Sequence, residues 1–245
     1  MATSDVLSIP GIVLRITPVK ESDAMVFCLG NDGFFTFYAH GGKKLVSANS
    51  SALQPYVEAS FLCRKSSSGS LTLKEASRGK MLVGIDASLE AMSCASIIGE
   101  IASKLIQEDD GKALFPYLEG ALKCIGEGKD PFTATLIFFA HTLNVMGYGL
   151  NVDECVLCGR KDNITAFSYQ EGGFVCEECA SSLHIDRSPL LRLKVLRYAF
   201  KAPLNDFGRV SLDHLVCKSV LNELGRYCED LTGVHLKSVE FLFKI

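Results

Sequence analysis

Four cysteines in two pairs, Cys155-Val-Leu-Cys158 and Cys176-Glu-Glu-Cys179, stand seventeen residues apart. Two C-x-x-C knuckles with a spacer of this length can place four thiolates around one tetrahedral zinc ion. Four thiolates close the coordination shell and leave no position for water or substrate, so a metal held this way supports a fold and not a reaction. Two disulfides, or a thioredoxin-like redox pair, are the other uses of the same residues. Redox use is the weaker of these, because such a pair opens a helix in a βαβ unit and normally comes singly. His184, five residues past Cys179, could substitute as a ligand, but four cysteines leave it no necessary role. Elsewhere the chemical marks are missing. There is no G-x-x-x-x-G-K-[ST], G-x-G-x-x-G, H-E-x-x-H or G-x-S-x-G, and the five histidines are scattered. The chain reads as a non-enzyme, with His141 a satisfied core histidine on an apolar helix.

The elements that must position the cysteines are legible around them. Ile164 to Tyr169 alternates like a strand, Glu171-Gly-Gly173 can turn, and Phe174-Val175 runs back into the second knuckle, which together make a zinc ribbon. Upstream, the first eighty residues read as five short strands at Ile12–Ile16, Met25–Leu29, Phe34–Ala39, Tyr56–Arg64 and Leu71–Glu75. Gly30-Asn-Asp-Gly33 is a hairpin signal and Ser66-Ser-Ser-Gly-Ser70 a flexible tip. Five strands in this length suit a small closed barrel of the OB-fold type, with an SH3-like barrel as the competitor.

From Asp86 the period turns helical, with Leu89, Met92, Ile98, Ile101 and Leu105 on one face, and a second helix is expected over Ala113 to Ile125. Asp130 and Pro131 open a third helix, along which Phe132, Leu136, Phe139, Leu143 and Met146 recur until Gly147. After the cysteines, Ser188-Pro189 starts a basic amphipathic helix. Ser211 opens a last long one with Leu215, Val216, Val220, Leu224 and Tyr227. The fold class is therefore α+β multidomain. Residues 1–80 form a five-stranded OB-fold barrel, 81–150 and 186–245 the two parts of a helical domain, and 151–185 the inserted four-cysteine zinc ribbon.

Net charge is −3 over 245 residues, but residues 1–80 carry +3, residues 81–154 carry −7 and residues 155–245 carry +1. No signal peptide or membrane span is readable, so the ten cysteines are expected to be reduced in a cytoplasm, with no membrane partner. The Asn-x-Ser/Thr matches at Asn49 and Asn163 are then chance. The functional surface the residues support is the barrel. Gly41-Gly-Lys-Lys44 offers glycines that let a backbone approach a phosphate, with Lys43 and Lys44 supplying charge. Arg15, Lys20, Arg64, Lys65, Lys74, Arg78 and Lys80 add cations, and Phe34, Phe35, Phe37 and Tyr38 are candidate stacking platforms. Alternation must send Phe35 and Phe37 to the face opposite Phe34 and Tyr38.

The ordered set of features resembles the RecO family of DNA repair proteins. It runs from Gly-Ile-Val-Leu-Arg15 and Glu21-Ser-Asp23, through Ala39-His-Gly-Gly-Lys-Lys44 with Gln54-Pro55, to Gly147-Tyr-Gly-Leu150. It continues in Cys155-x-x-Cys158-Gly159, Phe167-Ser168, Gly172-Gly173-x-x-Cys176-x-x-Cys179 and Leu236-Lys-Ser238. The resemblance implies an OB-fold, a helical domain with a zinc ribbon, and a non-enzymatic role in bacterial recombinational repair, at the nucleoid. It also implies binding of single- and double-stranded DNA, strand annealing, association with RecR, engagement of the acidic tail of single-strand DNA-binding protein (SSB), and help in loading RecA. For the SSB tail, the resemblance combines with Leu190-Leu-Arg-Leu-Lys-Val-Leu-Arg197, where Arg192, Lys194 and Arg197 border apolar positions. Two readings from other classes compete. One is a zinc-ribbon adaptor that binds protein without DNA. The other is an Arf GTPase-activating finger, which lacks here its arginine after the last cysteine and its tryptophan.

Overall fold

The computed structural model describes residues 6–19, 21–42, 49–84, 86–107 and 109–244. Its first part contains β1 (Val6–Pro18), β2 (Ala24–Gly30), β3 (Gly33–Ala39), β4 (Val57–Lys65), β5 (Leu71–Ala76) and a two-residue β6 (Lys80–Met81). β1 pairs with β4 through Val6–Ile12 and with β2 through Ile12–Pro18, and a bulge between Val13 and Arg15 marks the change of partner. β3 runs parallel to β5, pairing Phe37 with Leu71 and Tyr38 with Thr72. The order β1-β2-β3-β5-β4, closed by β4 on β1, is the OB-fold barrel. β1 is longer than the sequence suggests because Pro10-Gly11 reads as punctuation, yet the ladder to β4 runs straight through Pro10 opposite Ser60.

The helical part comprises α1 (Leu89–Lys104), α2 (Gly111–Gly126), α3 (Pro131–Val145), α4 (Glu177–Ser182), α5 (Leu190–Lys201), α6 (His214–Thr232) and α7 (Lys237–Leu242). β7 (Ile164–Ser168) and β8 (Gly173–Cys176) lie between α3 and α4. The Asp130 carboxylate accepts from the amides of Phe132 at 3.0 Å and Thr133 at 3.4 Å, and Pro131 fills the first position of α3. Besides Phe132, Leu136, Phe139 and Leu143, α3 also buries Ala134, Ile137, Phe138 and Ala140. It is the most buried helix of the domain, exposed only toward its last turn at Asn144 and Val145.

Alternation fills the barrel. Val13, Val26, Cys28, Phe37, Val57, Ala59, Phe61 and Cys63 point inward as one cluster, with the Phe37 and Phe61 rings 4.9 Å apart. The outer side divides in two. Ile12, Leu14 and Leu29 belong to the apolar core of the helical domain, and Phe34 packs against it. A Cβ on Gly111, at the start of α2, would lie 3.1 Å from both Leu29 and Phe34. One end of the barrel's outer face is thus sealed by the helices while the other stays open.

Three expectations need correction. Leu89 is 59% exposed, because the buried face of α1 runs through Ala91, Cys94, Ile98 and Ile101. Asp213, not Ser211, caps α6, and Leu215 in its first turn is 80% exposed; the buried stripe is Cys217, Val220, Leu221, Leu224 and Cys228. α6 is the last long helix. Gly233, at φ 71, ends it in a left-handed cap, and α7 follows. Six residues are too short for α7 to show a helical period in sequence. Among the described residues no helix is long and apolar enough to cross a membrane.

Candidate nucleic-acid face and metal centre

The cysteine centre is assembled by three short elements. Cys155 and Cys158 sit in a turn closed by the Gly159 amide donating to the Cys155 carbonyl at 2.8 Å, with Gly159 at φ 75. β7 and β8 bring the chain back, and Cys176 ends β8 and caps α4, which carries Cys179. The four sulfurs lie within 4.8 Å of one another, and Cys158 Sγ and Cys176 Sγ are 3.7 Å apart. A tetrahedral ion bonded to sulfur at about 2.3 Å sets sulfurs about 3.8 Å apart, whereas a disulfide requires about 2.05 Å. The donor set fits one metal ion. His184 is not among these donors. The second pair does open a helix, α4, but it does so after the antiparallel β7–β8 hairpin and not within a βαβ unit, and the two pairs converge instead of standing singly.

The thiols are not held alike: Cys155 is lowered, whereas Cys158 and Cys179 are raised. Burial opposes ionisation of Cys155, but amides of Cys176, Leu157 and Cys158 aimed at its sulfur outweigh this and bring the thiol down to about 6. Hydrogen bonds shared with Cys176 and Cys158 push Cys179 up to about 12, a proton that a bound metal displaces. Outside the sulfurs, Arg160 pairs with Glu178 at 2.6 Å and Arg187 with Glu177, so both flanks of the knuckles are braced to α4. Within the unit, the segment that follows α3 is tied to the β7–β8 turn by the Phe174 amide donating to Asn151 O at 2.8 Å and the Asn151 amide to Gly172 O at 2.9 Å. A Cβ on Gly173 would lie 2.1 Å from Asn151 O, so only glycine permits this approach.

On the barrel, register fixes which outward-pointing side chains lie at the same level along the strands. One row runs Thr17, Met25, Tyr38, Thr72, Arg64, and the next runs Arg15, Phe27, Thr36. Lys74, two residues beyond Thr72, faces the same way, and Lys65 ends β4 beside Arg64. Arg15, Arg64, Lys65 and Lys74 are exposed, and none pairs with a carboxylate among the described residues. Arg78 is exposed between β5 and β6. Lys80 sits opposite Glu58 at the α2 end of the barrel, away from the Arg64 group. Lys20, Lys43 and Lys44 lie outside the described residues.

The candidate aromatics separate as alternation requires. Phe35 and Phe37 point into the barrel, and Phe34 faces outward but under α2. Of the four rings, only Tyr38 reaches the open face. Its hydroxyl donates to Asp23 at 2.6 Å, and the same carboxylate accepts from the Gly41 amide at 2.8 Å. The Tyr38 hydroxyl and then the Gly41 amide hold the Asp23 carboxyl down to about 2. Asp23 thereby fixes the point at which the glycine loop leaves β3. Sequence reasoning missed Phe27, although the parity of β2, with Val26 and Cys28 inward, was the signal for it.

The model of the recombination protein O N-terminal region matches residues 3–79, and that of its C-terminal region matches residues 87–240. The chain belongs to the RecO family. Relatives named DNA repair protein RecO occur in Bacillus subtilis (strain 168), 30% identical over 236 residues covering 95% of this chain and 92% of the relative, and in Bacillus cereus (strain B4264), 30% identical over 243 residues covering 96% and 95%. The Bacillus pumilus (strain SAFR-032) protein is also 30% identical, over 95% of this chain and 91% of its own length.

The RecO-like motif residues acquire physical roles here. Gly147, at φ 81, ends α3, and the Tyr148 carbonyl accepts from Tyr227 of α6 at 3.3 Å. Phe167 joins the helical core. The Glu100 carboxylate accepts from the amides of Lys237 at 3.1 Å and Ser238 at 2.7 Å, docking α7 on α1. On α5, Val195 is buried and Leu191 is exposed. Arg192 turns inward, pairing with Glu223 of α6, donating to Ser188 Oγ at 3.0 Å and lying over the Phe167 ring. Arg197 donates to Val152 O at 2.8 Å. Arg197, Lys194 and Lys201 line a cleft of about 290 Å³ with Tyr198, Ala202, Pro203 and Asp206.

Proposed function

We propose that this RecO-family chain is a non-catalytic mediator of bacterial DNA repair and recombination, working on DNA at the nucleoid. In this reading it binds single- and double-stranded DNA, anneals complementary strands and helps RecR load the recombinase. The observation that carries the reading is the open outer face of the OB barrel, where Arg15, Arg64, Lys65 and Lys74 stand without carboxylate partners among the described residues. Unneutralised cations over an OB face attract a phosphate backbone whatever its sequence, because counterion release drives the binding. Lys43 and Lys44, which follow Gly41-Gly42 in the sequence, add two further positive charges to this reading. Arg78 and Lys80, and Lys20, are secondary contributors.

The metal is zinc and its role is architectural. Four thiolates suit zinc and leave no open coordination position; the residues that would hold it are Cys155, Cys158, Cys176 and Cys179. For the SSB tail we assign the cleft beside α5. Its apolar lining of Tyr198, Ala202 and Pro203 suits a terminal phenylalanine, and Lys194 suits a neighbouring aspartate, with Arg197 and Lys201, which share Asp153 at 3.4 and 2.7 Å, exchanging that partner for the tail. Arg192, committed to Glu223, is a scaffold residue in this scheme.

The test is a fluorescence-anisotropy titration of the whole protein with single-stranded DNA at two salt concentrations, followed by annealing of complementary oligonucleotides. Salt-dependent binding supports the mediator reading. Salt-independent or absent binding supports the protein-only adaptor.

A further inference from the structure

The four aromatics that sequence singled out on β3 leave the open face with one ring, yet the register supplies another. Phe27 faces outward on β2, between Met25 on the open face and Leu29 beneath α2. It is half-buried, and across the ladder it opposes Arg15 on β1 and Thr36 on β3. The Arg15 guanidinium carbon lies 4.5 Å from the Phe27 ring centroid, a stacked cation on an aromatic face. Arg15 is exposed and makes no ion pair with a described residue. Tyr38, the other outward ring, is held at its hydroxyl by Asp23 and met edge-on by His40 at 4.8 Å.

We propose that Phe27, with Arg15 stacked on it, is the nucleobase platform of this face, and that it makes the protein prefer single strands to duplex. The inference rests on the DNA-binding reading above. A base laid on the pair meets either the guanidinium plane or the phenyl ring, and both accept any base because every base has a π face. In a duplex those faces are covered by neighbouring bases, so only the phosphate contacts remain. Arg64 on β4 and Lys74 on β5 also point away from the barrel interior, separated from β2 by β3 in the strand order.

The chain contains no tryptophan, so Phe27→Trp introduces a single indole at the proposed platform. The variant is titrated with a thymidine oligomer of about 16 nucleotides, read by emission and anisotropy together. The expected result is quenching that tracks the anisotropy. Phe27→Leu keeps an apolar side chain without a π face. It is expected to bind the oligomer about fivefold to a hundredfold more weakly, with duplex affinity, salt slope and melting temperature unchanged. Emission that stays constant while anisotropy reports binding overturns the proposal, and so does Phe27→Leu with parental single-strand affinity. If the parent protein binds no DNA even at low salt, the DNA-binding reading falls and the platform with it.

Discussion

Replacing Cys176 by serine isolates what the metal centre holds. Serine nearly matches the thiol in size, so the change removes a ligand without opening a large cavity. Cys176 is fully buried and joins β8 to α4, and the apolar cluster around it contains just Cys155, Ala166, Val175, Cys176 and Ala180 as buried members. A cluster that small cannot replace metal binding worth on the order of 10 kcal/mol, so the unit between residues 151 and 185 should unfold locally. Its loss reaches further. Phe167 and Phe174 are 6% and 4% exposed, and both belong to the core shared by the helices. Exposing two such rings costs about 3–6 kcal/mol in total. For a domain of this size that lowers the melting temperature by roughly 10–20 °C. The barrel has its own inner cluster and should keep its structure. The assays are metal content of the purified protein, calorimetry, and limited proteolysis, with cuts expected in 151–185 and none in the barrel. A serine variant that retains one metal per chain, or that melts with the parent, refutes the argument.

If the barrel neutralises about four to six phosphates, log K for single strands should fall with log salt at a slope of about −3 to −4. Arg64→Glu with Lys65→Glu, or Lys43→Glu with Lys44→Glu, should weaken binding to all sequences alike, and sequence-selective loss counts against the face. Lys194→Glu with Lys201→Glu should abolish calorimetric binding of an acidic peptide ending in phenylalanine while sparing DNA affinity; surviving peptide binding moves the site off this cleft. Arg192→Glu should instead destabilise the protein by about 2 kcal/mol, because Glu223, which also accepts from the Tyr169 hydroxyl, loses its cation and meets a like charge, with loss seen in thermal melts. Asp23 is held down to about 2, first by the Tyr38 hydroxyl and then by the Gly41 amide. Its contribution is therefore fully present above the unfolded carboxylate value of about 3.9 and is lost as pH falls toward 2. Asp23→Asn should flatten the stability profile across that window, and an unchanged acid limb refutes the assignment.

Sequence alone determined what depends on neighbours along the chain. Cysteine spacing fixes each pair of sulfurs, since a C-x-x-C turn brings two together by itself, and the β7–β8 hairpin between the pairs joins them into one cluster. Asp130-Pro131 fixes the start of α3 through capping, and alternation fixes which of Phe34, Phe35, Phe37 and Tyr38 share a side of β3. Parity says which side a residue faces but not what lies over that side. Phe34 and Phe27 both face outward, yet α2 covers one, and Arg15 stacks on the other beside the open end of the barrel. Equally, the stretch Leu190 to Arg197 shows its cations in sequence, but only the packing of α6 shows that Arg192 is held by Glu223 while Lys194 borders a cleft. Leu215 carries an apolar side chain into solvent for the same reason: helical period places it near a face, and the neighbouring helices decide how far that face extends. These are contacts between segments distant along the chain, and the free energy that selects them comes from surfaces that exist only once the fold has closed.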